Sequence, residues 1–330
     1  MLCLFSGAVS PLQVLDNKVA FYRSHTFSMS TQKTYMSHLK AVTKFCNLYS
    51  LQLVPMPEIN VYRYIAYLSD FLCYNSIVQY INIIRILHEE AGYPNPIPGS
   101  FLVSTTLKGT RRVMGSKVSP KSPMTPQILL KIYSTLNLFD PLDLHFWSAA
   151  ISLFFSFSRK GNLLPPSQEA FCHDKHVCRC DLSFDQDYVV VRMRYSKTNQ
   201  FKDKAVYIPM CHIPHSVLSP VTFLAVIMTV AKKGCGPLFE YKKGDSTKVL
   251  TYPVFVDILK KCLDKLGYTS ADYSSHSFRR GGATFALACQ VPADLIKLQG
   301  DWASQAYQKY LEPDIDCQLS VTRVMAQALK

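Results

Sequence analysis

Apolar residues recur at helical spacing from Ser30 to Leu51, where Tyr35, Leu39, Val42, Phe45, Cys46 and Tyr49 fall on one face behind a Ser30-Thr31 start signal. The same period runs from about Pro57 to Phe71 and from Asn75 to Ala91, and Gly92 with Pro94, Pro96 and Pro98 closes the last segment. Strand patterning is missing from this part of the chain, so the pattern predicts a small bundle of three or four helices. Helical spacing resumes at Thr125, and Trp147 to Phe157 is so uniformly apolar that it predicts a buried helix. The period then changes. Tyr188 to Arg194 (YVVVRMR) and Ala205 to Pro209 (AVYIP) are rich in β-branched and aromatic residues and flank the polar tract Ser196-Lys197-Thr198-Asn199-Gln200, which predicts a β-hairpin or short sheet. Helical patterns follow at roughly 219 to 232, 253 to 267, 275 to 289, 292 to 299 and 303 to 310. The expectation is a mainly α protein with a small β-sheet (α+β), in two domains: residues 1–121, a helical bundle ending in a basic linker, and residues 122–330.

Composition sharpens this picture. A chain of 330 residues that is 48% hydrophobic buries a sizeable core, which excludes a disordered or fibrous polypeptide. The 36 Lys and Arg against 23 Asp and Glu leave a net charge of +13, which favours a polyanionic partner such as nucleic acid over the bland reading of charge for solubility. The first 124 residues are the more densely basic, with 12 Lys and Arg against 5 Asp and Glu. Within them Lys108, Arg111, Arg112, Lys117 and Lys121 run without an acid, which suits either a linker tracking a phosphate backbone or a solvated helix end with a flexible joint. The 11 cysteines are too sparse for a disulfide scaffold and read as thiols. No apolar run reaches the ~20 residues of a membrane span, and no basic residue precedes the short apolar N-terminus, so neither a membrane partner nor a signal peptide is expected. The reading is a soluble intracellular protein.

Candidate chemistry is concentrated late in the chain. His276 and Arg279 lie one turn apart on a helix opening after Ser274-Ser275, so both can grip one anion from one face. Gly300-Asp301-Trp302 follows, then Tyr307 and Tyr310; upstream, Arg159 ends the buried helix and Lys197 sits at the predicted hairpin tip. Each has a plainer reading alone: a core or capping histidine, an arginine on a helix dipole, a solvated turn lysine, a core tryptophan, a packing tyrosine. Their joint order is what raises the functional reading. Cys172, His173, His176, Cys178 and Cys180 cluster at spacings that can hold zinc but are not those of a usual zinc finger; the plain reading is a loop with ordinary thiols, and no metal ligand is assigned. No phosphate-binding Gly-x-x-x-x-Gly-Lys-Ser/Thr loop is present, so nothing points to ATP, and no cofactor is expected.

The order Arg159, Lys197, His276-x-x-Arg279, Gly300-x-Trp302 and Tyr310 resembles the tyrosine recombinase (phage integrase) superfamily. Ser30-Thr31-Gln32-Lys33-Thr34-Tyr35 resembles the opening of its N-terminal helical, SAM-like core-binding domain. The blocks Ser158-Arg159-Lys160-Gly161-Asn162-Leu163, Ser196 to Gln200, His276 to Thr284 and Gly300-Asp301-Trp302 resemble most closely the recombinases of eukaryotic DIRS, Ngaro and Crypton mobile elements. Two departures stand out. Many bacterial members have Gly two residues before the first arginine and Glu three after it, where this chain has Phe157 and Asn162; Trp302 stands at the usual second histidine, a replacement also found in the family. The resemblance implies a site-specific recombinase, independent of metal and ATP, with Arg159, Lys197, His276, Arg279 and Trp302 activating a phosphodiester and Tyr310 attacking it. It further implies double-stranded DNA contacted by Lys108, Arg111, Arg112, Lys117, Lys121 and Arg280, a homotetramer on two DNA sites, a nuclear location in a eukaryotic host or a cytoplasmic one otherwise, and a C-terminal segment, Cys317 to Lys330, exchanged between subunits. The alternatives are a domesticated DNA-binding protein without strand exchange and a type IB topoisomerase-like enzyme.

Overall fold

The computed structural model describes residues 10–115, 121–195, 205–231 and 234–311, together with 319 and 326. The chain divides into two compact units, Met1–Ser119 and Pro120–Lys330. Among the described residues no helix is long and apolar enough to cross a membrane.

The first unit is helical: α1 (Pro11–Ser24), α2 (Met29–Leu48), α3 (Glu58–Ser69), α4 (Tyr74–Glu90) and α5 (Phe101–Met114). Ser28, not Ser30, caps α2, its hydroxyl accepting from the Thr31 amide at 3.3 Å. Val42, Phe45 and Cys46 of α2 meet Val61, Tyr64 and Ile65 of α3 and Ile77, Ile81 and Ile84 of α4 in one core. Inside it the His88 imidazole Nε2 accepts from the Met56 amide at 2.9 Å, fixing the loop before α3 to α4. Of the two readings open for the basic run, Lys108, Arg111 and Arg112 fit the solvated helix end: they lie on the last two turns of α5, all exposed. The Ser100 cap and the burial of Val103 extend that helix through the basic run, and Arg111 sits 5.7 Å above the Tyr74 ring. Lys117 lies outside the described residues.

The second unit begins with α6 (Pro126–Tyr133) and α7 (Pro141–Phe155), each started by a capping side chain, Thr125 or Asp140, and a proline in the first turn. As its composition predicts, α7 is buried on nearly every face, from His145 through Phe154. A one-turn helix α8 (Lys160–Leu163) leads to an antiparallel sheet, β1 (Leu182–Phe184), β2 (Tyr188–Met193) and β3 (Val206–Cys211), ordered β1-β2-β3 with Val191 opposite Ile208. Val189, Val191 and Met193 alternate inward. Then come α9 (Pro220–Val230), the hairpin β4 (Glu240–Lys243) and β5 (Ser246–Val249), α10 (Tyr252–Lys265), α11 (Ser275–Ala288), α12 (Ala293–Gln299) and a 3₁₀ helix, Gln305–Tyr310. The hairpin expected at 188–209 is thus the central and one edge strand, β2 and β3, of a three-stranded sheet. Its connecting residues, Lys197 among them, lie outside the described ones.

Two features bring the later helices close to α7. Gly281 and Gly282 let α11 approach so closely that a Cβ on the first would lie 1.8 Å from the Met124 carbonyl oxygen, and one on the second 2.1 Å from that of Phe154. Neither obstacle can rotate away, because both are backbone. The second feature is the turn leaving α7, where Phe157 has φ of 47°, a left-handed conformation that favours glycine. This is the position at which the family resemblance leads one to expect glycine. The phenyl ring compensates, packing into a small cluster with Ala283, Ile296, Trp302 and Tyr307. Because the backbone strain and the ring contact are separable, Phe157→Gly should be more stable than Phe157→Ala by about 1 kcal/mol, reversing the usual order of the two residues. Chemical denaturation of the two variants checks this, and an alanine variant as stable as the glycine one would remove the strain from the account.

Candidate functional site

At the first turn of α11, Ser274 accepts from the His276 amide at 3.2 Å and exchanges hydrogen bonds with Ser277, so the helix start is fixed. His276 and Arg279 are one turn apart, as their spacing predicts, but their side chains part: His276 is exposed and Arg279 is only 2% exposed. The Arg279 guanidinium donates through Nη1 to the Phe157 carbonyl and through Nη2 to the Gly300 carbonyl, the latter at 2.8 Å. It lies 3.8 Å over the Trp302 ring and 5.7 Å from the Tyr310 ring, while its buried Nε has no hydrogen-bond partner among the described residues. The two residues of the His-x-x-Arg pattern thus differ in burial, with Arg279 inside the unit and His276 at its surface. Each of the two terminal nitrogens of Arg279 gives one hydrogen bond to a carbonyl, which holds three chain segments together, a role the spacing alone could not reveal.

Arg159, the residue capping α8, has a side chain 23% exposed and places Nη1 4.0 Å from the Asp301 carboxylate. Its positive charge acts on Arg279. Burial first, and Arg159 second, lower the Arg279 guanidinium to about 9, with Tyr310 and Asp301 opposing the shift. At neutral pH Arg279 therefore stays charged, in surroundings that favour an added negative charge.

Trp302 and Tyr307 are buried, at 6% and 5% exposure, and their rings lie 6.1 Å apart. Tyr310 is half-buried, its ring 5.7 Å from that of Trp302, and its carbonyl accepts from the Thr284 hydroxyl at 2.9 Å. A 3₁₀ helix eclipses residues three apart, so Tyr307 and Tyr310 share a face as an α-helix would also have them, but stacked more directly. Gly300 permits the arrangement, since a Cβ there would stand 1.7 Å from the Trp302 ring.

The structure thus gathers Arg159, Arg279, Trp302 and Tyr310 with Asp301 into one cluster and sets His276 at the exposed start of the same helix. Lys197 lies outside the described residues, as does nearly all of Cys317 to Lys330. Lys121 donates to the Ala271 carbonyl, and its own carbonyl accepts from Arg280 Nη1 at 3.4 Å, so these two cations belong to one surface beside α11. Sequence reasoning missed Gln299, whose amide donates to the carbonyls of Phe155 at 3.0 Å and Pro209 at 3.1 Å, tying α12 to α7 and β3. At Asn162, where the resemblance to bacterial members leads one to expect an acid, the side-chain amide donates to Met193 Sδ at 3.2 Å and so fixes the end of β2.

The all-thiol reading of the cysteines is corrected at one pair: Cys180 and Cys235 form a disulfide across 55 residues of sequence. Beside it stand His173 and Cys178, while Cys172 and His176 of the predicted cluster turn to each other through backbone hydrogen bonds. Cys235, far off in sequence, carried no spacing signal.

No family model matches the chain. In sequence it is similar to an integrase/recombinase XerD homolog of Selenomonas ruminantium, 24% identical over 295 residues that cover 86% of this chain and 81% of the relative. In structure it is similar to the Tn1549 transposon integrase in complex with circular intermediate DNA, with TM-score 0.60, 12% identity and coverage of 92% of this chain and 97% of that one. A lambda integrase dimer bound to a COC′ core site matches with TM-score 0.54 and 16% identity over 90% and 94% of the two chains. The XerH site-specific recombinase in its post-cleavage complex matches with TM-score 0.54 and 12% identity over 78% and 68%. Near-complete coverage by these neighbours, together with the mainly helical chain and its small antiparallel sheets, makes this the tyrosine recombinase fold.

Proposed function

We propose that the protein is a site-specific DNA recombinase that cuts and rejoins duplex DNA through a 3′-phosphotyrosyl intermediate, as part of the integration or transposition of a mobile element. The single observation that carries the reading is the buried Arg279 cation. It is flanked by Arg159 and capped by Trp302, and its guanidinium lies 5.7 Å from the Tyr310 ring. Two like charges held together at a desolvated site invite an anion with oxygens to share between them, and a phosphodiester in transition gains the negative charge such a site is built to meet. That the similar integrase and recombinase structures hold DNA supports the choice of phosphodiester.

In this reading Tyr310 Oη attacks phosphorus, the P–O5′ bond breaks, and His276 takes the phenolic proton while Lys197 protonates the departing 5′ oxygen. Arg159, Arg279 and Trp302 stabilise the charge on the non-bridging oxygens. The ester formed to tyrosine keeps the bond energy, so attack by a 5′ hydroxyl reverses the step without ATP. Since side chains supply the charge stabilisation, the step needs no magnesium. Strand exchange takes a homotetramer on two DNA sites. Lys108, Arg111, Arg112 and Lys117 contact backbone phosphates from the first unit, and Lys121 and Arg280 from the second.

Tyr310 is chosen over Tyr307 because Tyr307 is committed to the cluster around Trp302, whereas Tyr310 is half-exposed beside Arg279. On a nicked duplex, without magnesium or nucleotide, the wild-type chain should form a covalent protein–DNA adduct. Tyr310→Phe, which removes only the attacking oxygen, should abolish the adduct and leave DNA affinity nearly unchanged, while Tyr307→Phe should retain it. The opposite pattern overturns the assignment. An adduct surviving both changes overturns the mechanism, and wild-type DNA binding with no adduct points to a domesticated binding protein.

A second measurement concerns affinity. The logarithm of the DNA-binding constant should fall linearly with the logarithm of salt concentration, and neutralising Arg111 and Arg112 should flatten that slope by about one unit for each phosphate left without its cation. An unchanged slope would place the DNA on another face of the first unit.

A further inference from the structure

The Cys180–Cys235 disulfide has company that a disulfide does not need. The Cys178 sulfur lies 3.4 Å from His173 Nδ1, and the ligand atoms of His173, Cys178 and Cys235 all fall within 4.8 Å of one another. Cys180 stands outside that group of three but is bonded to Cys235, so reduction of the pair frees a third sulfur next to it. We propose that His173, Cys178, Cys180 and Cys235 form a tetrahedral zinc site when Cys180 and Cys235 are reduced. Three thiolates and one imidazole are a recurrent donor set for structural zinc, and bonds of about 2.3 Å to sulfur and 2.0–2.1 Å to nitrogen put neighbouring ligands about 3.6 Å apart. The His173–Cys178 pair already stands near that spacing.

The framework around the four side chains is built to hold them. Cys178 and Cys180 flank Arg179 on the turn entering β1, and Cys235 comes from the loop after α9. Arg179, itself 6% exposed, locks that loop in place, donating to the carbonyls of Gly234 at 3.2 Å and Pro237 at 3.0 Å and to the Glu240 carboxylate at 3.0 Å. Its amide adds a bond to the Gly236 carbonyl at 2.9 Å. Gly236 is forced by this contact, since a Cβ there would lie 2.2 Å from Arg179 Nη2. A zinc ion with three thiolates carries net negative charge, and Arg194 borders it: its Nη2, ion-paired with Asp181 at 2.6 Å, is 3.5 Å from Cys180 Sγ, while its Nη1 donates to the His173 carbonyl. Such charged outer contacts orient the ligands and tune a metal site.

The chemistry balances without further components. A dithiol reductant gives up two electrons and two protons to the Cys180–Cys235 bond, becoming a disulfide itself and leaving two thiols. Zinc then displaces the three thiol protons. Two-electron oxidation of the pair, for example by a diazenedicarboxamide that becomes the hydrazine, reforms the disulfide and releases the ion. The site thus links metal occupancy to redox state, on the segment that holds Arg194 three residues ahead of Lys197.

The test uses the full chain, reduced with a dithiol, freed of reductant and titrated with Co²⁺ and then Zn²⁺. The expected result is about one metal per chain, with the intense visible bands and thiolate-to-cobalt charge transfer of tetrahedral cobalt, bleached by zinc and lost on treatment with diamide. Cys235→Ser and His173→Gln should weaken metal binding at least tenfold, whereas Cys172→Ser, whose sulfur is outside the group, should leave it unchanged. Because the wild-type titration is itself decisive, misfolding of a variant does not rescue the idea. A reduced chain that binds no stoichiometric metal, a pair that resists the dithiol, or binding that depends on Cys172 and not on Cys235 overturns it. None of these readouts involves DNA cleavage, so the result is independent of the catalytic reading.

Discussion

The second unit is organised around one unfavourable requirement, the burial of a guanidinium. Removing a charge from water costs several kcal/mol unless its donors are satisfied and its field answered. Arg279 meets that cost with the carbonyls of Phe157 and Gly300 and the face of Trp302. Those partners come from the turn after α7 and the turn after α12, so a single side chain binds three stretches of sequence that are far apart. Much of the local sequence then follows. Gly282 brings α11 close enough to α7 for the guanidinium to reach the Phe157 carbonyl, Gly281 seats the same helix against the Met124 backbone, and Gly300 leaves room for the indole that lies against the cation. The left-handed turn at Phe157 aims its carbonyl inward.

The same burial sets the electrostatics. Arg159 is close enough to push Arg279 down, and Asp301, 4.0 Å from Arg159, answers only part of the excess. A charged pair of this kind is poor evidence for stability and good evidence for a site, because hydrophobic replacements of similar volume would commonly cost the fold less. The aromatic residues serve both ends. Trp302 covers the cation with a quadrupole in place of water, and Tyr310 borders the cluster where solvent reaches it.

How far the sequence disclosed this depends on the range of the interactions. Local periodicity was enough for α2 to α4, α7 and α9 to α12, since each buries a face set by its own spacing. It was enough for β2 and β3, whose side chains alternate inward. It failed for β1, β4 and β5, which are short and mostly exposed and so leave little pattern. It left the basic run from Lys108 to Lys121 open between a linker and a solvated helix end, because charge masks helical spacing when one face is solvated. Within the site, the order of Arg159, His276, Arg279, Trp302 and Tyr310 was legible, but the inward turn of Arg279 was not. That turn depends on carbonyls more than 20 residues away, and the meeting of Cys235 with Cys180 rests on a contact across 55 residues.

The two departures from the bacterial pattern show what the fold requires as distinct from what it usually contains. Glycine before the first arginine would adopt the left-handed turn without strain. Phe157 adopts it under strain and recovers the energy by filling the space beside Gly282 and Trp302, so turn and filler are supplied by one residue. An acid three places after Arg159 would add a negative charge beside the cations. Asn162 instead spends its amide on Met193 and leaves Asp301 as the carboxylate nearest Arg159. Less local compensation leaves the cluster more positive, and a more positive cluster depends more on the anion it meets to relieve the repulsion between its arginines. The geometry at the carbonyl of residue 157 is therefore kept by a different residue, while the charge around it is shifted toward the positive.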